Sequence, residues 1–191
     1  MEIYLVRHTK TVADKNVCYG QADVPVDINQ FKLYLPDLLK KLPAHIDTIY
    51  SSPLIRCSFL AQELLNVKYG KATLVPDNRI MELNFGNWEM KKWDEVNQQE
   101  LEKWMNNFTV EKVPGGESNA DLHERVTDFW NQVIQRRNNC CIVTHAGVIR
   151  SILSIINASE LKNAFTLYPV TYGDVIRITI IKNRHFEYTF L

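Results

Sequence analysis

Arginine and histidine, Arg7 and His8, follow directly on the apolar run Ile3-Tyr4-Leu5-Val6. A phosphoryl-transfer site needs a nucleophile, positive charge for the equatorial oxygens and an acid for the leaving group. A histidine serves as nucleophile when one ring nitrogen is unprotonated and the other is pinned by a hydrogen bond. An adjacent arginine supplies a planar fork of donors suited to phosphate oxygens. A second constellation is Ser51-Ser52-Pro53-Leu54-Ile55-Arg56. Ser52-Pro53 reads as a helix cap followed by proline at the first helical position, which places Arg56 in the first turn. There the guanidinium adds to the positive end of the helix. The third is Thr144-His145-Ala146-Gly147, a histidine that can donate to an anion together with backbone amides, with a glycine that permits close approach. The fourth, Glu82 to Glu89, carries two carboxylates. A carboxyl set against a dry aromatic wall holds its proton more readily and can act as general acid. Periodicity does not choose between Glu82 and Glu89. Taken singly, each constellation is also what a structural histidine, a capped surface helix or a loop carboxylate looks like.

Other chemistries are poorly provided for. The histidines His8, His45, His123, His145 and His185 form no H-x-x-x-H or H-x-H pair. Cys18, Cys57, Cys140 and Cys141 form no C-x-x-C pair, and none has an arginine six residues on, as a phosphate-cradling cysteine loop requires. Gly115-Gly116 carries no lysine, so no nucleotide-binding glycine loop is present. Neither a metal nor a cofactor is expected. With 22 basic and 22 acidic residues, bulk charge supports neither a nucleic-acid nor a membrane-surface partner, and any anion must be held locally. The opening Met-Glu-Ile-Tyr-Leu-Val lacks the basic-then-apolar pattern of a signal peptide, and no run reaches transmembrane length. Adjacent cysteines in an apolar run read as small buried hydrophobes, and a reducing, cytoplasmic setting is expected.

The elements that must position these residues follow from hydrophobic periodicity. With 191 residues, 46% of them apolar, a single domain over 1–191 is expected. Strands are expected at Ile3–Val6, Asp47–Ser51, Thr73–Pro76 and Cys140–Thr144. Helices are expected over Phe31–Leu42 (starting or kinking at Pro36), from Ser52 to about Asn66, from near Asp94 to Asn107 burying Val96, Leu101 and Trp104, over Ser118–Arg137, and over Val148–Ile156. Alternation at Ile176–Ile180 and Phe186–Phe190, with Asn183-Arg184 between, predicts a terminal hairpin. Strands alternating with helices predict a three-layer α/β sandwich with a mostly parallel sheet flanked by helices. In such a sheet ligands bind at the carboxyl ends of strands, where Arg7, His8, Ser51 and His145 all fall.

In this order and register, the pieces resemble the histidine phosphatase superfamily, which includes the cofactor-dependent phosphoglycerate mutases. The matching segments are Leu5-Val6-Arg7-His8-Thr9, Ser51 to Arg56, Glu82 to Glu89, Gly115 to Ser118 and His145 to Arg150. The resemblance implies a phosphoglycerate mutase-like fold and a metal-free phosphomonoesterase. It implies His8 as nucleophile through phosphohistidine, Glu82 rather than Glu89 as the acid, and Arg7, Arg56 and His145 as the phosphate pocket. Ala146, Gly20 and Ser118 join these as expected substrate-binding residues. Within the superfamily, Cys18 to Pro25 and Leu83 to Glu89 are most similar to the alpha-ribazole phosphatases of cobalamin nucleotide-loop assembly. For their flat benzimidazole substrate, Tyr19 and Trp88 are the expected walls. The alternatives are a broad sugar or small-metabolite phosphatase, a mutase-like enzyme, or a non-catalytic protein that binds a phospho-ligand. Thr9 replaces the usual glycine, and Val26 to Lys32 departs from the family's first-helix pattern. Asp14 stands where mutase-like members carry an asparagine. Its carboxylate would repel phosphate, so that role is not carried over. The expected partner is a small phosphomonoester; oligomeric state is left open.

Overall fold

A computed structural model describes residues 1–181 and 185–191. The strands are β1 (Glu2–Arg7), β2 (Thr48–Ser51), β3 (Thr73–Pro76), β4 (Cys140–Thr144), β5 (Val175–Ile181) and β6 (His185–Phe190). The helices are α1 (Ile28–Lys41), α2 (Ile55–Val67), α3 (Gln98–Asn107), α4 (Asn119–Arg136), α5 (Ala146–Asn157) and the single turn α6 (Ala164–Leu167). The strands form one sheet in the order β3-β2-β4-β1-β5-β6. β3, β2, β4 and β1 are parallel, and β5 and β6 extend the sheet as antiparallel strands. This is the expected three-layer, mostly parallel α/β sandwich. The expected turn at Asn183-Arg184 lies outside the described residues.

Burial on both faces explains why the central strands are apolar throughout. In β1, Ile3 and Leu5 enter the core beneath α4 and α5, while Tyr4 and Val6 enter the core beneath α1 and α2. The adjacent thiols separate in the same way, Cys140 to the first core and Cys141 to the second. All four cysteines are free and buried, and burial pushes the Cys18 and Cys140 thiols up to about 12. Among the described residues no helix is long and apolar enough to cross a membrane.

Several element starts differ from expectation, and each has a local cause. α1 begins at Ile28, because Asp27 caps it by accepting from the Asn29 and Gln30 amides. Pro36 lies inside this helix, four residues after the exposed Lys32, whose carbonyl can turn to water. α2 begins at Ile55, not at Ser52-Pro53. Its free Ile55 amide is satisfied from across the chain by Asp23 Oδ1 at 2.6 Å, and Arg56 keeps its place in the first turn. α3 begins only at Gln98, capped by Asn97. No residue within it is fully buried; Val96 packs ahead of it, with Leu101 and Trp104 at the margin of a small core. α4 starts as expected, with a full capping box between Ser118 and Asp121. The segment after α5, carrying a 3-10 turn at Leu161–Asn163 and then α6, has no counterpart in the expected elements.

Candidate active site

The parallel register builds the site. Arg7 pairs with Thr144 and Ser51 with Val143. The residues one step beyond, His8, His145 and Ser52, therefore leave the sheet side by side. The His8 and His145 rings meet edge to face at 5.1 Å between centroids.

His8 is 2% exposed. Its Nδ1 lies 2.7 Å from the Thr9 carbonyl oxygen. A carbonyl can only accept, so Nδ1 carries the proton and Nε2 keeps its lone pair. Burial first, then the charges of Arg56 and Arg7, hold the imidazole well below the ordinary histidine value. The ring is thus neutral and presents an unprotonated nitrogen beside two cations.

Those cations are held by the backbone. Arg7 Nη1 donates to the Val170 carbonyl at 2.9 Å, and its guanidinium lies 4.0 Å over the Tyr172 ring. Arg7 Nε is buried and unpartnered among the described residues, a donor that a phosphate oxygen would satisfy. Arg56 is fully buried. It donates through Nη1 to the Ala22 carbonyl at 2.8 Å, through Nη2 to the Gly20 carbonyl, and through Nε to His145 Nδ1 at 3.3 Å. Because His145 Nδ1 accepts, its proton sits on Nε2, which donates to Ser52 Oγ at 2.8 Å. Burial and the neighbouring Arg56 keep His145 neutral as well. In this arrangement His145 orients Arg56.

The two carboxylates of the Glu82–Glu89 segment separate by position. Glu82 lines the cavity, where its Oε2 accepts from the Gly147 amide and its Oε1 from the Leu83 amide, both at 3.2 Å. A Cβ on Gly147 would overlap Glu82 Oε1 and press on Leu122, so a larger residue there would have to push the carboxylate from its present place. Glu89 instead ties loops together: its Oε1 accepts from the Gln21 amide at 2.7 Å and the Phe85 amide at 3.0 Å. Gly20 fits beneath it at φ +32°, where a Cβ would strike the Glu89 carboxylate and the Leu83 carbonyl.

Arg7, His8, Arg56, Glu82 and His145 line one cavity of about 140 Å³, together with Tyr19 and Gly20. Three expected contacts are not brought to it. Trp88 is 2% exposed in the small core with Cys18, Val96 and Val113, and packs edge-on to Trp104 at 5.8 Å; Phe85 and Trp93 are the aromatic walls instead. Ser118 is the α4 cap, its hydroxyl bonded to Asp121 Oδ2 at 2.7 Å. Ala146 is buried at the first position of α5. Asp14 lies outside this cavity, in a surface groove.

Sequence reasoning missed the groups that hold Glu82. Arg125 donates to the Arg79, Met81 and Glu82 carbonyls and pairs with Glu117 at 2.9 Å. Gln21 Nε2 donates to the Glu82 carbonyl at 2.9 Å. The one signal for Arg125 was a charged residue on an otherwise amphipathic helix, which also describes a solvated side chain. Beyond Glu82 and Phe85, which line both cavities, opens a second cavity of about 170 Å³. Trp104, Phe108, Leu161 and Phe165 make it apolar, and Arg150 enters its wall. Among the described residues no cluster of three or more His, Cys, Asp or Glu side chains is arranged to hold a metal.

A family model described as the histidine phosphatase superfamily, branch 1, matches residues 3–187. The chain belongs to this superfamily. Phosphoserine phosphatase 1 of Hydrogenobacter thermophilus is 27% identical to it over 164 residues, covering 80% of this chain and 75% of that protein. The adenosylcobalamin/alpha-ribazole phosphatase of Escherichia coli (strain K12) is 25% identical over 162 residues, covering 81% of this chain and 78% of that one. The crystal structure of the alpha-ribazole phosphatase from Shigella flexneri shares the fold with a TM-score of 0.88 at 22% identity, over 100% of this chain and 96% of that one. This histidine phosphatase is accordingly a phosphomonoester hydrolase.

Proposed function

We propose that the protein hydrolyses phosphomonoesters in two steps through a phosphohistidine at His8. Nε2 attacks phosphorus in line and the P–O bond to the alcohol breaks as Glu82 gives its proton to the leaving oxygen. The resulting carboxylate then takes a proton from water, whose oxygen attacks the phosphohistidine, releasing phosphate and restoring His8. Arg7 and Arg56 carry the charge on the equatorial oxygens. The observation that carries this reading is the His8 Nδ1 bond to the Thr9 carbonyl, which leaves Nε2 bare in a cavity walled by two arginines and a carboxylate. Rapid quench with labelled substrate should trap an acid-labile, base-stable phosphoenzyme. Activity that survives His8→Ala without such a species would overturn the mechanism.

For the substrate, the reading is alpha-ribazole 5′-phosphate, hydrolysed in the reducing cytoplasm. Its flat apolar base suits the aromatic cavity that opens on the far side of Glu82. One observation favours a second reading. Arg150 donates from Nε to the Tyr168 carbonyl at 3.1 Å and stacks 4.3 Å over Phe165, and among the described residues its terminal nitrogens have no hydrogen bond. It could take the carboxylate of an acid-bearing alcohol, such as that of phosphoserine. Comparing kcat/KM for alpha-ribazole 5′-phosphate, phosphoserine, phosphoglycerates, sugar phosphates and nucleotides decides between them. Equal values across the panel would leave a broad phosphatase.

A further inference from the structure

Each cavity arginine rests on a tyrosine. The Arg7 guanidinium lies 4.0 Å over the Tyr172 ring, and that of Arg56 lies 5.0 Å from the Tyr19 ring centre. The two rings belong to segments far apart in the chain. Tyr19 sits on the loop whose Gly20 and Ala22 carbonyls hold Arg56. Tyr172 sits on the turn whose Val170 carbonyl holds Arg7, and that turn is closed by Asp174 accepting from Thr171. The tyrosine hydroxyls meet at 2.9 Å. Among the described residues this is the one hydrogen bond that joins residues 17–24 to residues 168–174. It completes a circuit Arg7–Tyr172–Tyr19–Arg56 around His8, whose ring is 5.6 Å from that of Tyr172. Each tyrosine is half-buried, and burial with the Tyr172 partner pushes the Tyr19 hydroxyl up, so it stays protonated and able to bond.

We propose that Tyr19 and Tyr172 are positioning residues, a hydroxyl clasp that sets the separation of the two guanidinium groups around the transferring phosphoryl group. The inference rests on the phosphohistidine reading of the cavity. In the in-line transition state the three equatorial oxygens spread into one plane, so fixed donors on either side matter more there than around tetrahedral phosphate. Phenylalanine at either position keeps the ring under its arginine and removes only the shared bond.

The test uses the full chain with p-nitrophenyl phosphate, orthovanadate as the five-coordinate analogue and inorganic phosphate as the tetrahedral one. Tyr19→Phe and Tyr172→Phe should each lower kcat about five- to tenfold and weaken vanadate inhibition by the same factor. KM and phosphate inhibition should change less than about twofold, since ground-state binding is not what the clasp serves. The double variant should match the singles, because all three lack one bond. Thermal unfolding of every variant reports folding independently of activity. Variants that keep wild-type kcat and vanadate affinity, lose phosphate and vanadate binding equally, or multiply their effects in the double would overturn the clasp. A wild-type protein that traps no phosphoenzyme and ignores vanadate would overturn the underlying reading, and the clasp with it.

Discussion

At the scale of single residues, His8 and Arg56 carry the sharpest consequences. Because burial and two arginines depress His8, its neutral form persists as pH falls past the ordinary histidine value of about 6.5. The acid limb of kcat/KM attributable to His8 should therefore lie well below that pH, and a limb near 6.5 would count against His8 as the titrating nucleophile. The same shift has a stability consequence. Below about 6.5 the unfolded chain protonates His8 and His145 while the folded chain does not, so protons favour unfolding. Stability from these groups is complete above that pH and falls as pH drops toward their folded values. Denaturant midpoints measured between pH 7.5 and 5 should show the decline, and His8→Asn should make it shallower. Arg56 is held by two carbonyls and His145, a pattern that needs a planar fork. Arg56→Ala should cost about 10²–10³-fold in kcat, and Arg56→Lys should not restore it, since an ammonium cannot span those partners.

At the scale of elements, helix starts aim the chemistry. α5 delivers the Gly147 amide to Glu82 with no room for a Cβ. Gly147→Ala should displace the carboxylate and lower kcat by about 10²-fold, while phosphate inhibition, which depends on the arginines, changes little. A wild-type kcat for that variant would mean that the Gly147 contact does not fix the carboxylate; Glu82→Gln, which keeps the shape and removes the acid, should lower kcat by about 10²-fold or more. By contrast, Ser118 belongs to the α4 capping box. Ser118→Ala should cost about 1 kcal/mol and lower Tm by about 2–4 °C, with kcat/KM unchanged under conditions where the protein remains folded. A large rise in KM would instead mean that Ser118 touches substrate. The start of α2 shows how an element can depend on distant chain. Its first amide is capped by Asp23, 32 residues away, on the same loop whose carbonyls hold Arg56. Loop and helix therefore order together.

At the scale of the molecule, two cavities meet at Glu82. One is charged and small; the other is larger and mostly apolar, with Asn119 and Arg150 in its wall besides the shared Glu82. Under the proposed mechanism, the first would hold the phosphoryl group and the second the alcohol. Arg150→Met should leave hydrolysis of p-nitrophenyl phosphate within about twofold of wild type while shifting selectivity. If the acid-bearing reading is right, phosphoserine turnover falls relative to alpha-ribazole 5′-phosphate; if the ratio is unmoved, Arg150 plays no part in specificity. Two arginines can carry the phosphoryl charge without a Lewis acid, so activity should persist after dialysis against a chelator. A loss reversed by a divalent cation would overturn that expectation.

Much of the architecture was legible along the chain because it is local. Apolar runs ending in Arg7-His8, Ser51 and Thr144-His145 mark strands and their carboxyl ends, and β3, β4 and α4 fall where hydrophobic period and capping place them. Glu82 and Glu89 could not be separated that way, since both sit in a loop with no period, and the family resemblance alone favoured Glu82. Their difference is tertiary: α5 meets one and the loop around Gln21 meets the other. Trp88 was misplaced for the same reason, because an aromatic residue beside a site looks alike whether it faces the cavity or the core. Tyr172 carries no local mark, and that of Arg125, a charge on an amphipathic helix, is shared with any solvated side chain. Their roles exist only once the chain has folded: Arg125 reaches the carbonyls of residues 79–82, more than forty positions away, and Tyr172 reaches Tyr19 across 153. His8 follows this rule as well. Its identity and position are local, but its bare, neutral nitrogen is set by burial and by the charges of Arg7 and Arg56, which only the folded chain assembles around it.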